Sequence, residues 1–567
     1  MIRIAALMAA LMATPAMAQD NQRTLKIDLF EERDYASDRA VGPQSWAGVM
    51  SAIDAGQWDA ARTAILRQSS RDPMRSYALA ELYLAPDSPR IEGAALAELV
   101  REAPELPQAQ RLAGLAQTRG EATPPTLVER RLVGLGGAPR RTRPDAIDGR
   151  DFDALRSDLR PFVEADDGAG AEALFREAID DGRLYGEARS EFAQRVAWIY
   201  YIEGRIPDAA RLAREGRLAG RAEWQAQSAW VEGLAEWRLN NCEAASVAFR
   251  TTALGTSDRE LAAAGHYWSA RAEQKCGRPQ IVAERLRAAA TDAETFYGQL
   301  ARARIGAPRQ LPARVAEPDR RMRSVVDTLP NVQRARLLAE SGERARAEEL
   351  LRHQARVGSP TQHQALIEIS KELGLGGLQY FLATNGPSGV RTNAEARYPH
   401  PAWEPDNGWR IDPFMAFSHI IQESDFRERV VSPADAVGLM QVRPGTARDT
   451  ARSRGQSVTV EQLKRPETNI DHGQAFIEQM QRNSATRGEL LRVIASYNAG
   501  PVPVARWATI PDDDPLLWME SLPYWETRFY IPAVLRNYFV YHAEAGTTPQ
   551  ALTDLIQGRT PRYPQAR

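Results

Sequence analysis

The stretch Ile411 to Gln441 reads IDPFMAFSHIIQESDFRERVVSPADAVGLMQ, and the rest of the chain can be read outward from it. Asp412 is a good N-cap, and Pro413 suits the first helical position because proline fixes φ and has no amide to leave unsatisfied. Phe414, Phe417 and Ile421 recur at i, i+3 and i+7, which predicts an apolar stripe on one helix face. Glu423 falls at the far end of that helix. A carboxyl group beside aromatic and aliphatic side chains is poorly solvated as an anion. Its pKa should rise, so that it holds a proton to donate near neutral pH. Asp425, two residues on, should point elsewhere.

Four further motifs accompany Glu423. Ser432-Pro433 follows it, then Gly438-Leu439-Met440-Gln441, then Ser496-Tyr497-Asn498-Ala499-Gly500, and finally Glu520-Ser521-Leu522-Pro523 with Glu526-Thr527-Arg528. In this order and at these spacings the set, from Arg397 to His542, resembles the catalytic domain of the soluble lytic transglycosylases. These are bacterial enzymes that cut peptidoglycan and share a lysozyme-like fold. Cleaving a glycosidic bond needs a proton on the leaving oxygen and stabilisation of an oxocarbenium-like centre. The resemblance implies that Glu423 alone supplies the acid and then the base, without metal or organic cofactor. It would cut the β-1,4 bond between N-acetylmuramic acid and N-acetylglucosamine and leave 1,6-anhydromuramic ends.

The same resemblance gives the remaining site residues their roles. Ser432 would hydrogen-bond the reacting sugar, although a turn cap before Pro433 explains it equally well. Gly438 and Met440 would shape the wall, and Gln441 would meet an N-acetyl group. Tyr497 would lie near Glu423, Asn498 on sugar or backbone, and Glu526 in the cleft. Glu520 reads as structural, and Arg528 as a partner for either glutamate. Asp435 has no equivalent in the family pattern. Ser496 and Arg443 depart from it, and Arg443 could meet a peptide-stem carboxylate. His419, one turn before Glu423, has no partners for a metal site and reads as structural.

The chain of 567 residues is too long for one compact core, and its 72 Lys and Arg against 74 Asp and Glu lack the basic excess of a general nucleic-acid binder. Arg3, the apolar run Ile4 to Ala13 and Ala16-Met17-Ala18 have the form of a cleavable secretory signal. Export to a Gram-negative periplasm is expected, with Gln19 as the mature N-terminus. With no cysteine near the cleavage point, a lipid anchor is not expected. No later run is long and apolar enough to span a bilayer.

From Pro43 to Gly306 the sequence reads as helix after helix, rich in Ala, Leu, Arg and Glu, without convincing strands. Similar segments follow glycine turns: Gly56-Gln57-Trp58-Asp59-Ala60-Ala61, Gly204-Arg205-Ile206-Pro207-Asp208-Ala209 and Gly342-Glu343-Arg344-Ala345. This is how helical-hairpin repeats stack. The expected architecture is all-α. A signal peptide over 1–18 precedes a helical-hairpin superhelix over 19–313, which the resemblance closes into a ring. A small helical linking domain over 314–396 leads to a lysozyme-like catalytic domain over 397–545 and a loose tail over 546–567. Gly136 to Arg150 reads as a surface loop.

Cys242 and Cys276 both follow the end of a helix's apolar pattern, near the turns of successive hairpins. Equivalent positions in stacked repeats lie on the order of 9–10 Å apart, whereas a disulfide needs Cα atoms within ~7 Å. A bridge therefore requires a departure from regular stacking. The alternative is two buried thiols, dispensable for folding.

Two other functions remain open on sequence alone. One is a hydrolytic muramidase on the same fold, and the other is a non-enzymatic helical scaffold that binds cell-wall glycan. The partner expected in every case is a peptidoglycan strand.

Overall fold

In a computed structural model, Pro43, residues 45–313 and residues 315–565 are described. The expected signal peptide and the polar segment after it lie outside them. The fold is all-α, with 27 α-helices among the described residues. Among the described residues one two-stranded pairing joins Val133–Gly134 to Asn385–Gly386, antiparallel. It is a strand contact that the sequence did not announce, because two residues leave no period-2 pattern.

The chain divides into two compact units. The first comprises the described residues up to Arg130 together with Arg323–Gly358. Here the helix Pro330–Glu340 packs on Pro73–Leu84. Buried Arg334 fastens the two by donating to the Pro73 carbonyl at 2.7 Å and the Ser76 hydroxyl at 2.9 Å.

The second unit holds Arg131–Met322 and Ser359–Arg567. Its first part, from Arg150 to Ile305, is a run of antiparallel helices, each packed on the next. Their starts are set by side-chain caps: Asn241, Asp258 and Thr295 each accept a backbone amide of the first turn. Gly204 ends the helix Ala188–Glu203 at φ 88°, a left-handed turn that glycine adopts without steric cost.

Cys242 and Cys276 are joined in a disulfide, with Cα atoms 5.6 Å apart. The two positions are not equivalent in the repeat. Cys242 opens the helix Cys242–Gly255, whereas Cys276 caps the end of Arg259–Lys275. These helices are antiparallel neighbours, so the start of one lies beside the end of the other, closer than one repeat. Closing a loop of 34 residues in the unfolded chain is worth roughly 3–4 kcal/mol. Replacing both cysteines with serine should lower stability by about that amount under oxidising conditions, read as a reduced unfolding midpoint in urea. No change would mean that the bridge does not restrain the unfolded chain.

Residues 136–150 are not a free surface loop along their whole length. Pro139 is buried, and the Arg141 side chain enters the interior to meet Glu520. The C-terminal tail is also not loose. It forms the helix Gln550–Ile556 and then returns to the helix Leu490–Ala499, where Leu490 donates to the Pro561 carbonyl at 2.8 Å and Tyr563 is buried.

The later part of this unit, from residue 397 on, rests on the helical run through polar and aromatic contacts. Arg397 pairs with Glu294 at 2.6 Å, Arg271 with Asp514 at 2.6 Å, and Phe296 stacks on Phe539. Fully buried Arg536 reaches Glu260 of the run at 3.3 Å and Asn537 at 2.8 Å. Asn537 in turn donates to the Ser418 carbonyl at 3.2 Å, on the helix that carries Glu423.

Candidate active site

The helix Pro413–Ser424 starts where the sequence places it, with the Asp412 carboxylate accepting the Phe414 amide at 2.9 Å. Its residues Met415 to Ile421 are all buried, so the expected stripe is in fact a nearly complete jacket. The long aromatic helix Trp525–Glu544 covers one side of it. Such burial leaves Glu423, in the last turn, half-buried among its neighbours. Asp425 lies just past the helix end at φ 51° and faces Arg140 at 3.3 Å, away from this chemistry.

Burial pushes the Glu423 carboxyl up to about 7. The charge of Glu526 adds to the rise, and a hydrogen bond from Tyr530 opposes it. That bond, from the Tyr530 hydroxyl to Glu423 Oε1, is 2.5 Å long. The Tyr530 hydroxyl is also 2.9 Å from His419 Nδ1, and His419 Nε2 is 3.3 Å from the Tyr563 hydroxyl. His419 is therefore more than core filling, since it links two phenols. Complete burial lowers its pKa to about 3, so the ring is neutral. Among the described residues no group of three or more His, Cys, Asp or Glu is placed to hold a metal ion.

The loop after the helix is held by its own side chains. The Ser432 hydroxyl accepts the amides of Ala434 and Ala436 at 3.3 and 3.0 Å, which makes it a turn cap that retains one proton to donate. Asp435 is exposed in a left-handed conformation, φ 61°. Gly438, at φ 75°, has no room for a side chain: a Cβ there would lie 2.4 Å from Asn469 Nδ2 and 2.7 Å from the Leu463 carbonyl. Asn469 clamps this loop by accepting the Met440 amide and donating to the Val437 carbonyl, both at 2.8 Å. Gly438→Ala should cost about 1–3 kcal/mol, the scale of a forced backbone strain. It should also lower kcat by displacing the clamp, and a variant with wild-type melting and rate would contradict this packing.

The Met440 side chain is buried against Gly473, and its backbone carbonyl accepts the Tyr497 hydroxyl at 2.6 Å. The Gln441 side-chain amide donates to the Gly438 carbonyl at 2.9 Å. The ring of half-buried Tyr497 lies tilted against that of His419, centroids 4.6 Å apart, and the negative charge of Glu423 is among the causes that raise its pKa. Asn498 accepts the Thr527 hydroxyl at 2.6 Å, which ties the Leu490–Ala499 helix to the Glu526 motif. Glu526 itself is exposed.

Glu520 is fully buried and accepts from Arg141 at 2.6 Å and from the Tyr297 hydroxyl at 2.8 Å. Arg528 pairs with neither glutamate. Its guanidinium stacks 3.9 Å over Trp198 and donates to the Leu522 carbonyl at 3.1 Å. Burial, with Arg141 nearby, lowers its pKa to about 9. Ser496 is buried and its hydroxyl meets no hydrogen-bond partner among the described residues, whereas Arg443 is exposed at the start of the helix Pro444–Ser453.

Sequence reading missed Tyr530, Asn469 and Tyr563. Tyr530 had a usable signal, being four residues after Glu526 and hence on the same helix face. Asn469 and Tyr563 had none.

Residues 402–514 match the family model of the transglycosylase SLT domain. Over 160 residues the chain is 33% identical to the soluble lytic murein transglycosylase of Escherichia coli K12, which is 27% of this chain and 24% of that protein. Over 143 residues it is 34% identical to the protein of the same description from Salmonella typhimurium, or 24% of this chain and 21% of the other. The matched stretch thus spans about a quarter of those relatives' length. In structure, the 70 kDa soluble lytic transglycosylase of Escherichia coli aligns with a TM-score of 0.53 at 19% identity, over 91% of this chain and 98% of that one. Lytic transglycosylase Slt of Pseudomonas aeruginosa, as an inactive mutant, aligns with a TM-score of 0.54 at 18% identity, over 91% and 88%. The fold is therefore the all-α superhelical one of these proteins. The matched residues include Glu423, Gln441 and Tyr497. Glu526 and Tyr563 lie beyond the matched residues.

Proposed function

We propose that the protein is a lytic transglycosylase of peptidoglycan that works in the periplasm, with Glu423 as its single acid and base. The observation that carries this reading is the half-buried Glu423 carboxyl, which keeps its proton up to about pH 7 within an SLT domain. The protonated carboxyl gives its proton to the glycosidic oxygen between N-acetylmuramic acid and N-acetylglucosamine, and the C1–O bond breaks. The carboxylate then takes the proton of the muramic 6-hydroxyl as that oxygen bonds to C1. No water is consumed, and Glu423 is left protonated for the next cycle. Ser432, Gln441, Asn498 and Glu526 contact the sugars, Gly438 and Met440 form the loop that holds them, and Tyr497 braces the wall beside the acid.

The helices before the catalytic part serve as a platform for the glycan strand, since every candidate reacting group follows Arg397. Among the described residues no helix is long and apolar enough to cross a membrane. The test is mass spectrometry of the fragments released from purified peptidoglycan. Ends lighter by one water than the hydrolysis product, and resistant to borohydride reduction, are expected. Reducing muramic ends would assign a muramidase instead, and no release of fragments would leave a glycan-binding scaffold.

A further inference from the structure

Tyr563, His419 and Tyr530 form a continuous hydrogen-bonded path that ends on Glu423 Oε1, with steps of 3.3, 2.9 and 2.5 Å. The path crosses three separate segments. Tyr563 comes from the C-terminal tail, His419 from the helix of Glu423 itself, one turn back, and Tyr530 from the helix Trp525–Glu544. The tail is fixed where it delivers Tyr563. The Tyr563 amide donates to the Gly488 carbonyl at 3.3 Å, and isolated bridges join Arg562 to Glu489 and Gln565 to Ile411.

The protons on this path can be assigned by counting donors. Tyr530 has one hydroxyl proton, and with Oε1 of Glu423 bare that proton is given to it. The contact from His419 Nδ1 must then be a donation into the Tyr530 oxygen, so Nδ1 carries the hydrogen. A neutral imidazole with a proton on Nδ1 has a bare Nε2, which can only accept. Tyr563 must therefore donate. All three protons point the same way, toward the carboxyl group.

We propose that Tyr563 and His419 are positioning residues which, through Tyr530, decide which oxygen of Glu423 carries the catalytic proton. This rests on the reading of Glu423 as the acid. With Oε1 held as an acceptor, the proton of the neutral carboxyl sits on Oε2, the only oxygen left to face a glycosidic bond. Without the Tyr563 hydroxyl, His419 is free to move its hydrogen to Nε2. Its bare Nδ1 then competes with Glu423 for the Tyr530 proton. Oε1 loses its donor, and the carboxyl proton is divided between two oxygens.

The electrostatic surroundings are simple enough to test this. The groups facing Glu423 are Tyr530 and Glu526 from the aromatic helix and Tyr497 from Leu490–Ala499. His419 faces Tyr530, Tyr497 and Tyr563. The Asp412 carboxylate acts on Tyr563 and is itself held by Tyr538 at 2.9 Å. Because the Tyr530 bond lowers the Glu423 pKa, its loss must raise it.

The experiment titrates the Glu423 carboxyl carbon by NMR in full-length protein labelled at glutamate, with Glu423→Gln used to assign the signal. This readout needs no turnover, so it stands whether or not Glu423 proves to be the catalytic acid. Tyr563→Phe should move the Glu423 titration upward by roughly half a unit to one unit, where one unit is a tenfold change in proton affinity. In the activity assay it should lower kcat roughly tenfold, within the range of acid–base effects, with KM changed less than twofold. His419→Asn places an amide N–H where Nδ1 was, and in that background Tyr563→Phe should have no further effect. An unmoved Glu423 titration in Tyr563→Phe, or an equal effect in the His419→Asn background, would overturn the proposal. If circular dichroism shows that Tyr563→Phe does not fold, Tyr530→Phe carries the test, since it leaves the tail untouched. The same upward shift is expected there, and an unmoved titration overturns the proposal.

Discussion

Glu423→Gln should reduce cleavage of peptidoglycan by about 10⁴-fold or more, the upper end of what a general acid–base group contributes. The amide keeps the shape and can still accept from Tyr530, but it has no titrating proton for the leaving oxygen. Asp425 cannot replace it, being turned to Arg140, and Asp435 is exposed on the loop. Glu526 raises the affinity of Glu423 for its proton. Glu526→Gln should therefore lower the rate less and move the alkaline limb of the pH–rate profile downward. In the wild type that limb should fall as pH rises through about 7, the point at which Glu423 loses its proton. The same shift has a stability consequence whose sign is fixed. The folded pKa lies above the unfolded value, so the folded state binds more protons, and this contribution is present at acid pH and lost as pH rises through about 7. Glu423→Gln should thus melt higher than wild type at pH 8 and show no such gain at pH 4. Equal melting temperatures at both would mean that burial does not shift the carboxyl.

Glu520→Ala should be the most destabilising single change among the charged residues. Glu520 is fully buried, and Arg141, its partner, is 6% exposed. Removing the anion leaves Arg141 buried between Trp230 and Phe529 without its paired carboxylate, Tyr297 without that acceptor, and Arg528 without a negative charge that offsets its burial. Breaking such a pair costs on the order of 3–5 kcal/mol. Arg141→Met combined with Glu520→Leu should recover much of that loss, because two apolar side chains of similar size need no charge compensation. Urea unfolding of the two single variants and the double variant measures this coupling. If the double variant is no more stable than Glu520→Ala, the pair is not the source of the cost. Folded Glu520→Ala protein, at low temperature, should still cleave short glycan chains, which separates this glutamate from Glu526.

Local features were readable from the sequence. Asp412 and Pro413 start their helix as written, and Gly500 ends the helix that carries Tyr497, with φ 83° at the break. The poorly solvated position of Glu423 followed from the aromatic and aliphatic residues beside it. The features that were not readable depend on contacts between distant parts of the chain, which leave no periodic trace. Tyr530 lies 107 residues from Glu423, Tyr563 lies 144 from His419, and Arg141 lies 379 from Glu520. Whether the two cysteines pair stays open in the sequence for a related reason. Repeat spacing gives the distance between equivalent positions, but Cys242 begins a helix and Cys276 ends one. His419 illustrates the same limit, since its role depends on Tyr563, from a tail that composition alone made look loose.

The most direct test of a single acid–base glutamate acting without water is to run the reaction in oxygen-18-enriched water. Mass spectrometry of the released muramic ends then reports whether solvent oxygen has entered C1. Internal attack by the 6-hydroxyl predicts ends with no solvent oxygen, in full-length wild-type protein at pH 6, and no product from Glu423→Gln. Muramic ends carrying oxygen-18 from the first turnover would contradict it.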